Sequence, residues 1–319
     1  MRRRDFIQII AGSTVGLPIG VTAQESPKWR VGFLHPGLSA IAAVRIADFR
    51  TGLGLADIEI IARSANDQID KLPALAAELV GQRVQAICAA GPPAIRATRE
   101  ATTSIPIVAI DLESDPVADG WAISLAHPGH NLTGIFLDLP SFGAKTLQLL
   151  REAVPGMTKV ALLWHPAAGS LQLEAVRSAA SVLNLEPEVF EIAGPSDFEG
   201  TFAAMVKSKA TGLVLLSSPL TSDNPQILAN LALRNRLPAI SLFPDFAKHG
   251  GLIGYGVDLQ SLVPQAGILT RKLLQGASVA DLPIERPTRF QLVANVKTAL
   301  ALDLTLPTSI LLSADEVIE

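Results

Sequence analysis

A short buried-strand run ending in His-Pro occurs twice in this chain, and that repetition restricts the fold more than any other feature. Val31-Gly32-Phe33-Leu34-His35-Pro36 comes first, and Val160-Ala161-Leu162-Leu163-Trp164-His165-Pro166 repeats it about 129 positions later. Behind the first copy lie a helical stretch at 41–53, an apolar run at 58–62, a helix at 72–81, runs at 85–90 and 105–110, and a helix between those two. Behind the second the order is the same, through 171–183, 187–192, 198–209, 212–216, a further helix and 237–242. Continuous apolar runs separated by helical patterns read as parallel strands covered on both faces. Parallel neighbours need crossovers, which the helices supply. Further strand-like runs at 122–125, 133–137, 252–255 and 288–293 are too many for one eight-stranded barrel. The expected fold is therefore α/β, with two doubly wound, Rossmann-like lobes whose parallel sheets are joined by a hinge. Lobe one is placed at 28–125 plus about 256–281, and lobe two at about 133–255 plus 282–319.

In open α/β sheets ligands sit beyond the carboxyl ends of the strands. With two facing sheets those ends line one cleft, so the tips at 35–39, 91–94, 111–115, 164–170, 217–221 and 243–246 are the places to look. His35 and His165 each end a first strand, where a histidine either completes a local hydrogen bond or touches a ligand. Ser39 lies on the same tip as His35. Ser217 and Ser218, before Pro219, either hold a polar or anionic ligand end or cap a helix. Asp115 either meets a ligand ammonium or caps its own turn. Trp164, Phe243, Phe246 and Tyr255 are a large share of a chain with only 5% aromatics, and aromatics at cleft rims commonly sandwich flat or apolar ligands.

The first twenty-three residues have the order of an export signal. Arg3-Arg4-Asp5-Phe6-Ile7 is a twin-arginine pattern, a soft apolar stretch follows, and Val21-Thr22-Ala23 is a small-residue cleavage site. Cleavage after about Ala23 would leave the mature chain in a bacterial periplasm, without membrane insertion. The segment carries three Arg and one Asp, so its loss moves the net charge from −4 to −6. An acidic chain without a basic stripe argues against nucleic acid as a partner. The single Cys88 sits in an apolar run, where it packs as a small hydrophobe. His127-Pro128-Gly129-His130 reads as a turn rather than a metal site, since Pro and Gly prevent a helical face and no acidic or thiol cluster completes it. No phosphate-binding loop, nucleophile elbow or zinc-protease motif is present. The reading is a binding protein, not an enzyme, with no metal and no cofactor.

Several segments carry a resemblance. Leu282-Pro283-Ile284-Glu285-Arg286-Pro287-Thr288-Arg289-Phe290, Asn295-Val296-Lys297-Thr298-Ala299-Leu300 and Ala314-Asp315-Glu316-Val317-Ile318-Glu319 close the chain. Ser114-Asp115-Pro116-Val117, Gly250-Gly251-Leu252 and Tyr255-Gly256 precede them. In this order they resemble the substrate-binding proteins of bacterial ABC transporters, the group that includes tryptophan- and tyrosine-uptake binding proteins. The resemblance implies a type I periplasmic-binding fold that closes around one small solute. It also implies delivery of that solute, an amino acid or a compact aromatic or carboxylate metabolite, to an ABC permease by a monomer. A ligand sensor acting on a membrane receptor is the alternative. At the pocket the pattern departs. Gly91-Pro92-Pro93 stands where members commonly have Gly-Thr-Pro, and Gly254 where many have Ser. The hydroxyl that would cap the helix after Gly91 is missing.

Overall fold

The computed structural model describes residues 29–137 and 139–319, the side chains of 139–141 excepted. The export-signal reading lies outside the described residues. The first half runs β1 (Trp29–His35), α1 (Ser39–Leu53), β2 (Ile58–Ser64), α2 (Leu72–Gly81), β3 (Ala86–Ala90), α3 (Gly91–Ala101), β4 (Ile107–Asp111) and β5 (Leu132–Phe136). There follow α4 (Leu139–Ala153), β6 (Lys159–Trp164), α5 (Leu171–Val182), β7 (Glu186–Glu191), α6 (Phe198–Lys207) and β8 (Gly212–Leu215). Next come α7 (Pro219–Ser222), α8 (Pro225–Arg234), β9 (Ala239–Ser241), α9 (Pro244–Lys248) and β10 (Ile253–Val257). The chain ends with α10 (Leu259–Leu274), β11 (Phe290–Asn295), α11 (Val296–Ala301), α12 (Thr308–Ser313) and β12 (Glu316–Ile318).

The repetition seen in sequence is a repetition of topology. The first sheet has the order β2-β1-β3-β4-β5, and the second contains β7-β6-β8-β9-β10 in the same arrangement, extended by β11 and β12. All pairings are parallel except β10 with β11. This is the two-lobed type I periplasmic-binding architecture. The central strands are apolar because helices cover both faces: β4 and β5 are buried at every position, whereas the edge strands β2 and β7 carry charged, partly exposed residues. Cys88 in β3 is fully buried opposite Phe33, and burial raises its thiol pKa far above the ordinary value.

Two segment assignments differ from the expectation. The strand at 132–136 belongs to the first sheet, where it pairs with β4 along its whole length. Residues 282–286 also stay with the first lobe. Glu285 donates its N–H to Gly134 O at 2.8 Å and accepts from Phe136 N at 3.0 Å, while Thr133 Oγ1 donates to Leu282 O at 2.9 Å. The reason is the open edge of β5, whose unpaired backbone groups need a partner that no adjacent strand supplies. The chain consequently passes between lobes three times: after β5, after β10 and before β11.

Helix α10 comes late in the chain but packs on α1 and on the first sheet, placing Leu262, Val263, Ala266 and Leu269 in the core that contains Phe33 and Phe49. The two helices cross closely enough that a Cβ on Gly52 would lie 1.7 Å from Pro264 O, and one on Gly267 would lie 2.3 Å from Phe49 O. Among the described residues no helix is long and apolar enough to cross a membrane.

Candidate functional site

The carboxyl ends of the two sheets meet around a cavity whose empty space, its solvent-open mouth included, is about 470 Å³. The first lobe contributes Phe33 and His35 from β1, Arg45 from α1, Ala90 and Gly91 at the start of α3, and Ile110, Leu112 and Glu113 at the end of β4. The second contributes Pro219, Ser222 and Asp223 after β8, and Phe243 after β9. Leu259 and Val263 of α10 complete the wall at the hinge. A mostly apolar lining with a few polar groups is the usual chemistry of a small-solute site.

Direct bonds close the lobes over this space. His35 Nε2 donates to Asp223 Oδ2 at 2.9 Å, with both side chains almost fully buried. Ser217 Oγ donates to Glu113 Oε1 at 2.5 Å, also buried. Outside the cavity Arg96 Nη2 donates to Ala167 O at 2.5 Å. Gly91 has φ of +75°, and a Cβ there would lie 2.5 Å from Pro219 Cγ of the opposite lobe. A side chain would therefore be strained in its backbone and would also wedge the lobes apart.

The electrostatics centre on a buried carboxyl pair. Burial raises the Glu113 pKa, and the neighbouring Asp111 charge adds to it; the bonds from Ser217 and Leu112 N–H oppose the shift. Burial likewise raises Asp111, against the N–H bonds its Oδ1 accepts from Glu113 at 2.8 Å and Ser114 at 3.0 Å. Asp111 Oδ2 is buried with no hydrogen-bond partner. Burial lowers the pKa of His165, so its ring favours the neutral form.

The residues singled out from sequence separate into three groups. His35, Gly91 and Phe243 line the cavity, and Ser217 spans the lobes beside it. Pro93 and His165 line a smaller interlobe space of about 290 Å³, while Pro92 is buried in the first turn of α3. Ser218, Ser39 and Asp115 serve local backbone instead. Ser218 caps α7 by accepting from Thr221 N at 3.1 Å. Ser39 is exposed and donates through its N–H and Oγ to Asn66 Oδ1, each at 2.9 Å. Asp115 is exposed and accepts from Val117 N at 2.9 Å and Ala118 N at 3.1 Å, a turn cap.

Trp164 and Tyr255 are not brought to the cavity. Strand side chains alternate between faces. Trp164 shares its face of β6 with Val160 and Leu162, and Tyr255 shares its face of β10 with Ile253, so both pack on the second lobe's core. The Trp164 indole N–H donates to Gly169 O at 2.9 Å, and Tyr255 packs on Phe142 with centroids 5.9 Å apart.

Glu113, Asp111, Asp223 and Arg45 were not singled out from sequence. Glu113 and Asp111 fall within the tip at 111–115, and two acids at the end of an otherwise apolar strand run are a usable signal. Asp223 had none, because its partner His35 is 188 positions away.

Residues 35–318 match the family model described as ABC transporter substrate binding protein. A tyrosine-binding protein of Clostridioides difficile (strain R20291) is 26% identical over 252 residues, which cover 78% of this chain and 71% of that protein. An ABC domain in complex with L-Trp from Streptococcus pneumonia superposes with a TM-score of 0.82 at 20% identity, over 91% of this chain and 99% of that one. The ligand-free, open structure of a Clostridium difficile substrate binding protein with adhesive properties superposes with a TM-score of 0.61 at 21% identity, over the same shares.

Proposed function

Because the chain belongs to the ABC transporter substrate binding protein family, we propose that it captures a small organic solute in the periplasm and delivers it to an inner-membrane permease. The observation that carries this reading is an interlobe cavity whose walls come from both lobes and whose rim is bonded across them. A site divided between two bodies is complete only when they close, so solute binding and closure are one equilibrium. The closed arrangement fits the higher superposition score with the tryptophan complex than with the open, ligand-free relative.

Amino acids lead as the solute class. The relatives are a tyrosine-binding protein and a tryptophan complex, and the cavity offers an apolar body flanked by the ionisable Arg45 and Glu113. Export by the twin-arginine route, cleavage near Ala23 and action as a monomer complete the proposal. Phe243, Gly91, His35 and Ser217 are the sequence-predicted residues assigned to the site.

A thermal-shift screen of the mature chain over amino acids, aromatic acids, short organic acids and nucleobases tests it. A solute at ~100 times its dissociation constant is expected to add ~2.7 kcal/mol of stability. A screen in which no compound of any class raises the melting temperature would refute the reading.

A further inference from the structure

Glu113 is a buried carboxyl on the cavity wall, and among the described residues no cation is paired with it. It is 6% exposed. Its Oε1 accepts from Ser217 Oγ and its Oε2 from Leu112 N at 3.2 Å, which uses two of roughly four acceptor positions on a carboxylate. Behind it stands Asp111, fully buried, with Oδ2 unpartnered. A buried anion beside a second acid is costly unless a cation reaches it. The protein does not supply one: among the described residues neither Glu113 nor Asp111 takes part in an ion pair. His35 adds a further unpartnered polar atom. Its Nε2 bonds Asp223, while its Nδ1 is buried without a partner.

The positive side of the cavity is arranged differently. Arg45 lines the wall from α1, and among the described residues it has no ion pair. The start of α3 would be the usual seat for a solute anion, but Pro92 and Pro93 remove two N–H donors from its first turn. Arg45 is the one Lys or Arg among the cavity's lining residues and is the cation available to a solute carboxylate.

We propose that Glu113 is the specificity-determining residue of this cleft and receives the ammonium group of the solute, with Arg45 facing its carboxylate. The proposal rests on the solute-binding reading above and names the recognition chemistry of that same site. Asp111, two positions earlier, is the charge that acts on Glu113, and the other ionisable groups lining the cavity are Arg45 on α1, His35 at the end of β1 and Asp223 from the second lobe. An arriving ammonium favours the ionised carboxylate, so binding releases the proton that burial otherwise retains on Glu113.

Two sets of probes sharing one body separate the contributions of the two ends. The first is L-phenylalanine, phenethylamine and 3-phenylpropionate; the second is L-leucine, 3-methylbutan-1-amine and 4-methylpentanoate. Each is titrated calorimetrically into the mature wild-type chain and into Glu113→Gln, which keeps an acceptor for Ser217 and a similar shape. At least one amine-bearing probe is expected to bind while its acid-only counterpart does not. Glu113→Gln should weaken that binding at least about 30-fold with a normal melting curve. The wild-type binding enthalpy should vary with the ionisation enthalpy of the buffer, and that variation should vanish in Glu113→Gln. Binding of none of the six probes overturns the proposal. So does an acid-only probe that matches its amino acid, or an affinity unchanged in Glu113→Gln. A solute without an ammonium group, found in the broader screen, overturns it while leaving the solute-binding function standing.

Discussion

At the scale of single residues, the cavity depends on groups whose neighbours set their chemistry. The raised pKa of Glu113 makes a stability prediction with a definite sign. A carboxyl whose folded pKa lies above its unfolded value holds its proton more tightly in the native state. Its stabilising contribution is full below the unfolded pKa, near 4.5, and is lost as pH rises through the folded value. Ligand-free protein should thus lose stability from about pH 4.5 upward, with a slope approaching ~1.4 kcal/mol per pH unit for one carboxyl. Glu113→Gln should flatten that slope, leaving the part due to Asp111; urea titrations at several pH values measure both. A slope that is identical in wild type and variant would show that Glu113 is not the group holding the proton. Trp164 illustrates the opposite case, an aromatic at a predicted tip that faces a core. Trp164→Ala is expected to cost about 2 kcal/mol of stability, less than a fully buried tryptophan would. It should leave solute affinity in the native protein within about twofold; a larger loss of affinity with an unchanged melting curve would return Trp164 to the site.

Among the elements, the α1–α10 crossing joins chain segments more than two hundred positions apart. Its closeness requires glycine on both helices, because the facing backbone occupies the space a Cβ would need. Gly52→Ala is expected to destabilise by at least about 2 kcal/mol, an overpacking cost with backbone rather than a flexible side chain as the obstacle. Chemical denaturation checks this, and a variant as stable as wild type would mean that the helices separate without penalty. The sequence displayed the helices and strands themselves well, since apolar runs and helical spacing are local signals. It did not display that 132–136 and 282–286 extend the first sheet. A strand's neighbour is chosen by backbone groups left open elsewhere, which no local pattern records.

For the whole molecule, the closed state is held by few bonds, so it should be easy to shift. Asp223→Ala with Ser217→Ala removes both buried cross-lobe bonds at the cavity. The double variant should show a larger radius of gyration in solution scattering without solute. It should also bind its solute roughly tenfold or more weakly, since each lost bond contributes about 1 kcal/mol to closure. A scattering curve identical to wild type would mean that these bonds do not set the equilibrium. Duplicated runs, strand-end tips and closing motifs were enough to read two lobes, their doubly wound sheets and a cleft between them, because each is written in residues adjacent in the chain. Which side chains line that cleft was only partly legible. Gly91 and His35 sit where a strand must end, but Trp164 also ends a strand and Asp115 lies on the tip after β4, and these two serve a core and a turn. The pleat, the local caps and the approach of the second lobe decide between these outcomes, and Asp223 reaches His35 only because two separately folded sheets face one another.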